Sequence, residues 1–168
     1  LAFDGGYYDD GTYAHQALHC STYEDASLDW YADVAAGITK ANKVIMELGG
    51  NEAGFKVAPA RAMRAFYTFI IMDCYGDAPI VDEAYCKDKG FDMEKRQKRA
   101  DVAKWLESEL KDVVNDLPAE TTGENYCKPN KYMAKALLAK IYLNWAVYTA
   151  DDIAKFDAAT AKNEKLQE

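Results

Sequence analysis

From Ser27 to Leu48, the residues Leu28, Tyr31, Val34, Ile38, Ala41, Ile45 and Leu48 return every three or four positions, and the pattern stops at Gly49-Gly50. That spacing buries one face of a helix, whereas a strand would alternate every two residues. Three further segments are helical by the same reasoning. Pro59 suits a first helical turn, and Ala60 to Tyr75 is apolar nearly all round through Met63, Phe66, Tyr67, Phe69, Ile70, Ile71 and Cys74, so this second helix is expected to be buried. Gly76-Asp77-Ala78-Pro79 should end it, leaving Ile80 to Phe91 as an extended connection.

Asp101 is placed to cap a third helix whose stripe is Val102, Leu106, Leu110, Val113, Val114 and Leu117, ahead of Pro118. Its opposite face, with Lys104, Glu107, Lys111 and Asp112, is expected in water. Asn130 is placed to cap a fourth helix carrying Ala134, Leu137, Leu138, Ile141, Trp145 and Tyr148, with Ala136 and Ala139 small enough for close packing. A fifth helix is expected near Asp152. Ala65, Ile70 and Met72 can be laid over Ala136, Ile141 and Leu143 at 71 residues, about twice a 34-residue helix-pair repeat. The fold class that follows is all-α: a TPR-like α-solenoid of stacked helix pairs behind an irregular N-terminal loop. Residues 1–168 read as one such domain. The start at Leu1 without Met or leader and the Lys/Glu-rich end suggest part of a longer protein.

Composition narrows the function. A net charge of −8 repels phosphate backbones and anionic membranes, which disfavours nucleic acid as a partner. No apolar stretch reaches the roughly 18 to 20 residues of a membrane span, since the one around Phe66 to Met72 is interrupted by Asp73. Cys20, Cys74, Cys86 and Cys127 show no C-x-x-C pairing, so buried free thiols are expected rather than zinc. His15 and His19 lie four apart where no helix is signalled, so neither a metal nor another cofactor is expected. Asp73 is the one carboxylate in an apolar setting, and packing or capping suits it better than catalysis. Trp30, Trp105 and Trp145 read as packing residues, and the charged run from Asp92 to Arg99 as a solvated loop or helix start whose Lys and Arg could instead face a partner.

The run RAFYTFIIMDCYGDAPIV, from Arg64 to Val81, resembles the signature stretch of the SusD/RagB family: Arg-Ala before an aromatic cluster, then aromatic-Gly-Asp, one small residue, Pro and two aliphatics. GITKANKVI (37–45), DVAKWLESELKDVVNDLP (101–118) and KYMAKALLAKIYLNWAVYT (131–149) are similar to further stretches in the family's order. Many relatives have Gly-Arg where this chain has Pro129-Asn130. The resemblance spans roughly Trp30 to Thr149. It implies a surface lipoprotein of the outer membrane that captures polysaccharide or oligosaccharide and hands it to a SusC-like TonB-dependent transporter, without catalysis. Membrane attachment would then be only through a lipid anchor outside this sequence.

A glycan site needs aromatic platforms for the C–H faces of sugar rings with polar groups beside them. Residues 1–22 have that composition, and Asp4, Tyr7, Tyr8, Asp10 and Tyr13, with Asp9 between them, are the candidate glycan-binding residues. The plainer alternative is that Tyr7 and Tyr8 only pack. The rival function is a TPR-type adaptor that binds a peptide or protein, although no polar ladder of Asn and Lys marks a peptide groove here. A glycosidase would need a carboxylate pair about 5 to 10 Å apart, and nothing singles one out.

Overall fold

A computed structural model describes residues 30–91, 95–151, 156–157 and 161–167. Among these residues six helices follow one another: α1 (Trp30–Glu47), α2 (Ala58–Tyr75), α3 (Glu83–Lys89), α4 (Arg99–Val113), α5 (Lys131–Leu143) and α6 (Trp145–Tyr148). Short 3₁₀ turns lie at Asn51–Lys56, Gly123–Asn125 and Glu164–Gln167. Among the described residues the only sheet-like pairing is one antiparallel bridge between Ala78 and Gln97. The chain is thus an all-α, TPR-like stack of helix pairs, in which α1 packs on α2, α2 on α4 and α4 on α5.

The apolar stripes account for the stacking. Ile38, Ala41 and Ile45 of α1 are buried, as are Val102, Leu106, Leu110 and Val113 of α4 and Ala134, Leu137 and Ile141 of α5. At Gly37 a Cβ would stand 2.8 Å from the Tyr67 ring, so the missing side chain is what lets that ring lie against α1. Gly76 closes α2 with φ +84°, and its N–H donates to the Met72 carbonyl at 2.9 Å. A residue with a Cβ adopts that φ only under strain, which is why the helix stops there.

Several expectations are corrected. Ile80 to Phe91 is not extended throughout, because Asp82 accepts from the Tyr85 N–H and starts α3, a helix too short to show a period. Asp101 lies inside the first turn of α4 rather than capping it; Arg99 opens the helix, and its N–H is capped from another part of the chain. The fourth helix does cap on Asn130, whose Oδ1 accepts from Tyr132 and Met133 N–H at 3.0 Å each. It then breaks at Asn144 before α6. Ala136 and Ala139 are exposed, so the close packing expected of them is not seen among the described residues. The 71-residue overlay also fails at its ends, since Ala65 and Met72 are buried while Ala136 and Leu143 are not. Leu48 falls past the end of α1 and is 47% exposed. The fifth helix expected near Asp152 falls largely on 152–155, outside the described residues.

Candidate functional site

Two polar constellations emerge from the helices, one buried and one open. The buried one begins with Arg61 and Arg64, a turn apart on α2 and 6% and 0% exposed. Both reach Glu109 of α4: Arg61 donates from Nε at 3.0 Å and Nη2 at 2.8 Å, and Arg64 from Nη2. Arg61 Nη2 also meets Asp112 at 2.6 Å, at the water's edge. Arg64 Nη1 donates to Asn42 Oδ1 of α1 at 2.8 Å, and Asn42 Nδ2 donates onward to the Val81 carbonyl at 2.8 Å. Burial alone would raise the Glu109 pKa, but the two arginines outweigh it and hold the carboxyl below the ordinary range. Burial likewise opposes the charge on Arg61, yet its carboxylate partners hold that pKa above its usual value. A carboxylate so neutralised is a structural tie, not a proton carrier.

This cluster corrects the expectation that Asp73 is the one carboxylate in an apolar setting, since Glu109 is 7% exposed. Glu107, expected in water, is also largely enclosed, its Oε1 accepting from Tyr142 Oη (2.8 Å), Lys111 Nζ (2.8 Å) and Lys165 Nζ (3.0 Å). Burial opposes ionisation there, but those three donors bring the carboxyl down to about 2.

The open constellation lies where α2 ends and α4 begins. A cleft of about 850 Å³ is bordered by Tyr75, Gly76 and Asp77 on one side, by Lys95 to Ala100 without Gln97 on another, and by Ala150 and Asp151 on the third. Asp77 organises it, with Oδ1 accepting the Arg99 N–H at 3.0 Å and so capping α4. That backbone hydrogen bond, more than the nearby Lys98, lowers the Asp77 pKa. The Ala78 to Gln97 bridge and a bond from Ile80 N–H to Gln97 Oε1 (2.8 Å) clamp the two walls. Arg99 Nε donates to the Tyr148 carbonyl at 3.1 Å, and Tyr148 Oη donates to Asp73 Oδ1 at 2.6 Å. Asp73 therefore ties α2 to α6 through a hydrogen bond, at an exposed position and not in the apolar setting expected of it. Burial, then Asp73, pushes the Tyr148 pKa up.

Tyr75 stands at the rim, 38% exposed, its ring 5.2 Å from Trp30 and 5.1 Å, edge to face, from Tyr31. An aromatic plate beside cations and carboxylates is the chemistry a sugar ring asks for. Asp4, Tyr7, Tyr8, Asp10 and Tyr13 lie outside the described residues, as do His15, His19 and Cys20. Sequence reasoning missed Tyr75 because it closes an apolar run that reads as core. Cys74, expected buried, is exposed, while Cys86 is buried as expected. Burial, then Asp73, raises the Cys74 pKa, so its thiol is no activated nucleophile at neutral pH. Trp145 is buried with Nε1 on Glu164 (2.8 Å), and Trp105 lies 5.8 Å from the Arg64 guanidinium, both as packing residues. No helix among the described residues is long and apolar enough to cross a membrane.

No protein-family model matches the chain, and no curated protein matches its sequence. Its fold does match solved structures. A SusD-like carbohydrate-binding protein from Bacteroides fragilis superposes with a TM-score of 0.62 at 19% identity, over 81% of this chain and 29% of that one. A second SusD-like protein from the same organism superposes with a TM-score of 0.59, also at 19% identity, over 78% of this chain and 27% of its own. The chain thus spans less than a third of the length of either structure and shares with them the fold that the sequence resemblance implied.

Proposed function

We propose that residues 1–168 are the TPR-type helical domain of a longer surface lipoprotein that captures polysaccharide or oligosaccharide and passes it to a partner SusC-like, TonB-dependent outer-membrane transporter. The observation that carries this reading is the exposed Tyr75 plate, backed by Trp30 and Tyr31, on the edge of a charged cleft. A solved protein of the same fold is described as carbohydrate binding, which supports the same direction. The protein holds its ligand without cutting it: the buried carboxylate Glu109 is spent on two arginines and Asp73 on a tyrosine hydroxyl. Asp4, Tyr7, Tyr8, Asp10 and Tyr13, which lie outside the described residues, are further candidate glycan contacts on the strength of their aromatic and acidic chemistry. Lipid anchoring and exposure at the cell surface belong to the same proposal, since a receptor feeding an importer must sit beside it.

Affinity electrophoresis of the protein through gels cast with a polysaccharide panel tests this. At least one glycan should retard it, and Tyr75→Ala should reduce the retardation while the far-UV circular dichroism stays helical. Tyr7→Ala with Tyr8→Ala should do likewise if the N-terminal edge takes part. Retardation unchanged by Tyr75→Ala would remove the cleft from the site.

A further inference from the structure

The cleft has a charge opposite to that of the chain around it. The sequence holds 28 acidic and 20 basic residues, yet among the described residues Lys95, Arg96, Lys98 and Arg99 face the cleft with Asp77 and Asp151 as its carboxylates. Asp77 is already engaged, by the Arg99 N–H and, at 3.4 Å, by Lys98 Nζ. Among the described residues no ion pair holds Lys95, Arg96 or Arg99. Arg99 is anchored by Nε on the Tyr148 carbonyl, and its two terminal nitrogens have no partner among the described residues. The contrast with Arg61 and Arg64 is chemical: those guanidiniums are consumed by Glu109, whereas Lys95, Arg96 and the terminal nitrogens of Arg99 meet no carboxylate among the described residues.

We propose that the saccharide taken by this cleft is a polyuronate, its ring carboxylates meeting the cationic wall while a ring face lies on Tyr75; this rests on the glycan reading above. A guanidinium fork matches a carboxylate through two parallel hydrogen bonds, a fit that a neutral hydroxymethyl group at the same ring carbon does not offer. The cationic wall also draws polyanions toward a protein that otherwise repels them, because charges of one sign lining a concavity concentrate their field there. No chemistry on the sugar is involved, only its retention.

The test uses the whole 168-residue chain and several uronate polysaccharides, galacturonan and alginate among them, each paired with its carboxyl-reduced form, which keeps linkage and ring while removing charge. Isothermal titration should show the uronate form of at least one pair bound about tenfold more tightly, the equivalent of about 1.4 kcal/mol. That preference should shrink as salt rises from about 0.05 to 0.3 M, over which the screening length falls by roughly half or more. Lys95→Ala with Arg96→Ala, both at exposed positions, should bring the acid-to-neutral ratio toward one. Equal affinity for both members of every pair, or a ratio that survives the double substitution, overturns the proposal. Dextran sulfate bound as tightly as the best uronate also overturns it, since the attraction would then be to any polyanion. If only the reduced forms bind, and do so through Tyr75, the glycan reading stands while the polyuronate inference falls. If neither form of any pair binds and the wider gel panel is equally silent, both fall.

Discussion

Replacing Glu109 by Ala removes the acceptor of three hydrogen bonds, leaving the fully buried Arg64 guanidinium with no carboxylate and Arg61, 6% exposed, with Asp112 alone. Breaking a buried ion pair from one side costs about 3–5 kcal/mol, because the surviving charge stays desolvated and unpaired. Against a whole-domain stability of about 5–15 kcal/mol, that is a large fraction. At about 2–4 °C per kcal/mol for a chain of this size, the melting temperature should fall by roughly 6–20 °C. Asp112→Ala is the internal comparison. Asp112 also meets Arg61, but its side chain is 66% exposed, so its loss should cost under about 1 kcal/mol. Urea unfolding followed by circular dichroism at pH 7 measures both, with an unchanged slope showing that the change lies in stability and not in the unfolded ensemble. A triple replacement of Arg61, Arg64 and Glu109 by Met, Met and Leu should recover most of the loss, since apolar packing of similar volume often matches a buried ionic set. If Glu109→Ala costs no more than Asp112→Ala, the cluster is solvated and the reasoning is wrong.

Two further outcomes follow from the same geometry. Glu107 sits at about 2 against an ordinary 4.5, and Glu109 and Asp77 are shifted in the same direction; a lowered folded-state pKa contributes stability that is complete above about 4.5 and is lost as pH falls through the folded value. Calorimetric melting temperatures should therefore drop between pH 4.5 and 2, less steeply in Glu107→Gln; identical profiles for both proteins would contradict the assignment. Asp77→Ala should cost about 0.5–2 kcal/mol through loss of the α4 cap and speed hydrogen exchange at the Arg99 amide, and an unchanged exchange rate there would show that another group caps the helix.

The parts of this fold that are legible in sequence are those written as a period. The stripes Ile38, Ala41, Ile45 and Val102, Leu106, Leu110, Val113 are buried where the spacing puts them, and Asn130 caps from the position where a capping side chain belongs. What escaped is written across distance. Glu109 occupies the position after an exposed serine in a charged helix, and nothing local distinguishes it from Glu107 or Lys111; only Arg61 and Arg64, 48 and 45 residues earlier, make it a core residue. The helix α4 opens three residues before the point that a cap at Asp101 would set, for the same reason, its cap arriving from Asp77. Seven residues of α3 hold too few turns to reveal a face. Of the residues bordering the cleft, Tyr75 stands at the end of an apolar run and Arg96 within a stretch that reads as solvated, because a cleft is made by neighbours that the linear order separates.

The tie among Asn42, Arg64 and Glu109 bears on how such a chain can diverge. Ridges of Leu, Ile and Ala can slide past one another by a turn and still exclude water, so an apolar seam alone leaves the stacking of α1, α2 and α4 degenerate. A guanidinium held by an amide on one helix and a carboxylate on another has a single solution. Drift through the greasy positions, which tolerate volume-conserving exchange, then leaves the stacking order untouched. The register of α1, α2 and α4 is thereby set by one polar tie and not by the apolar seam around it.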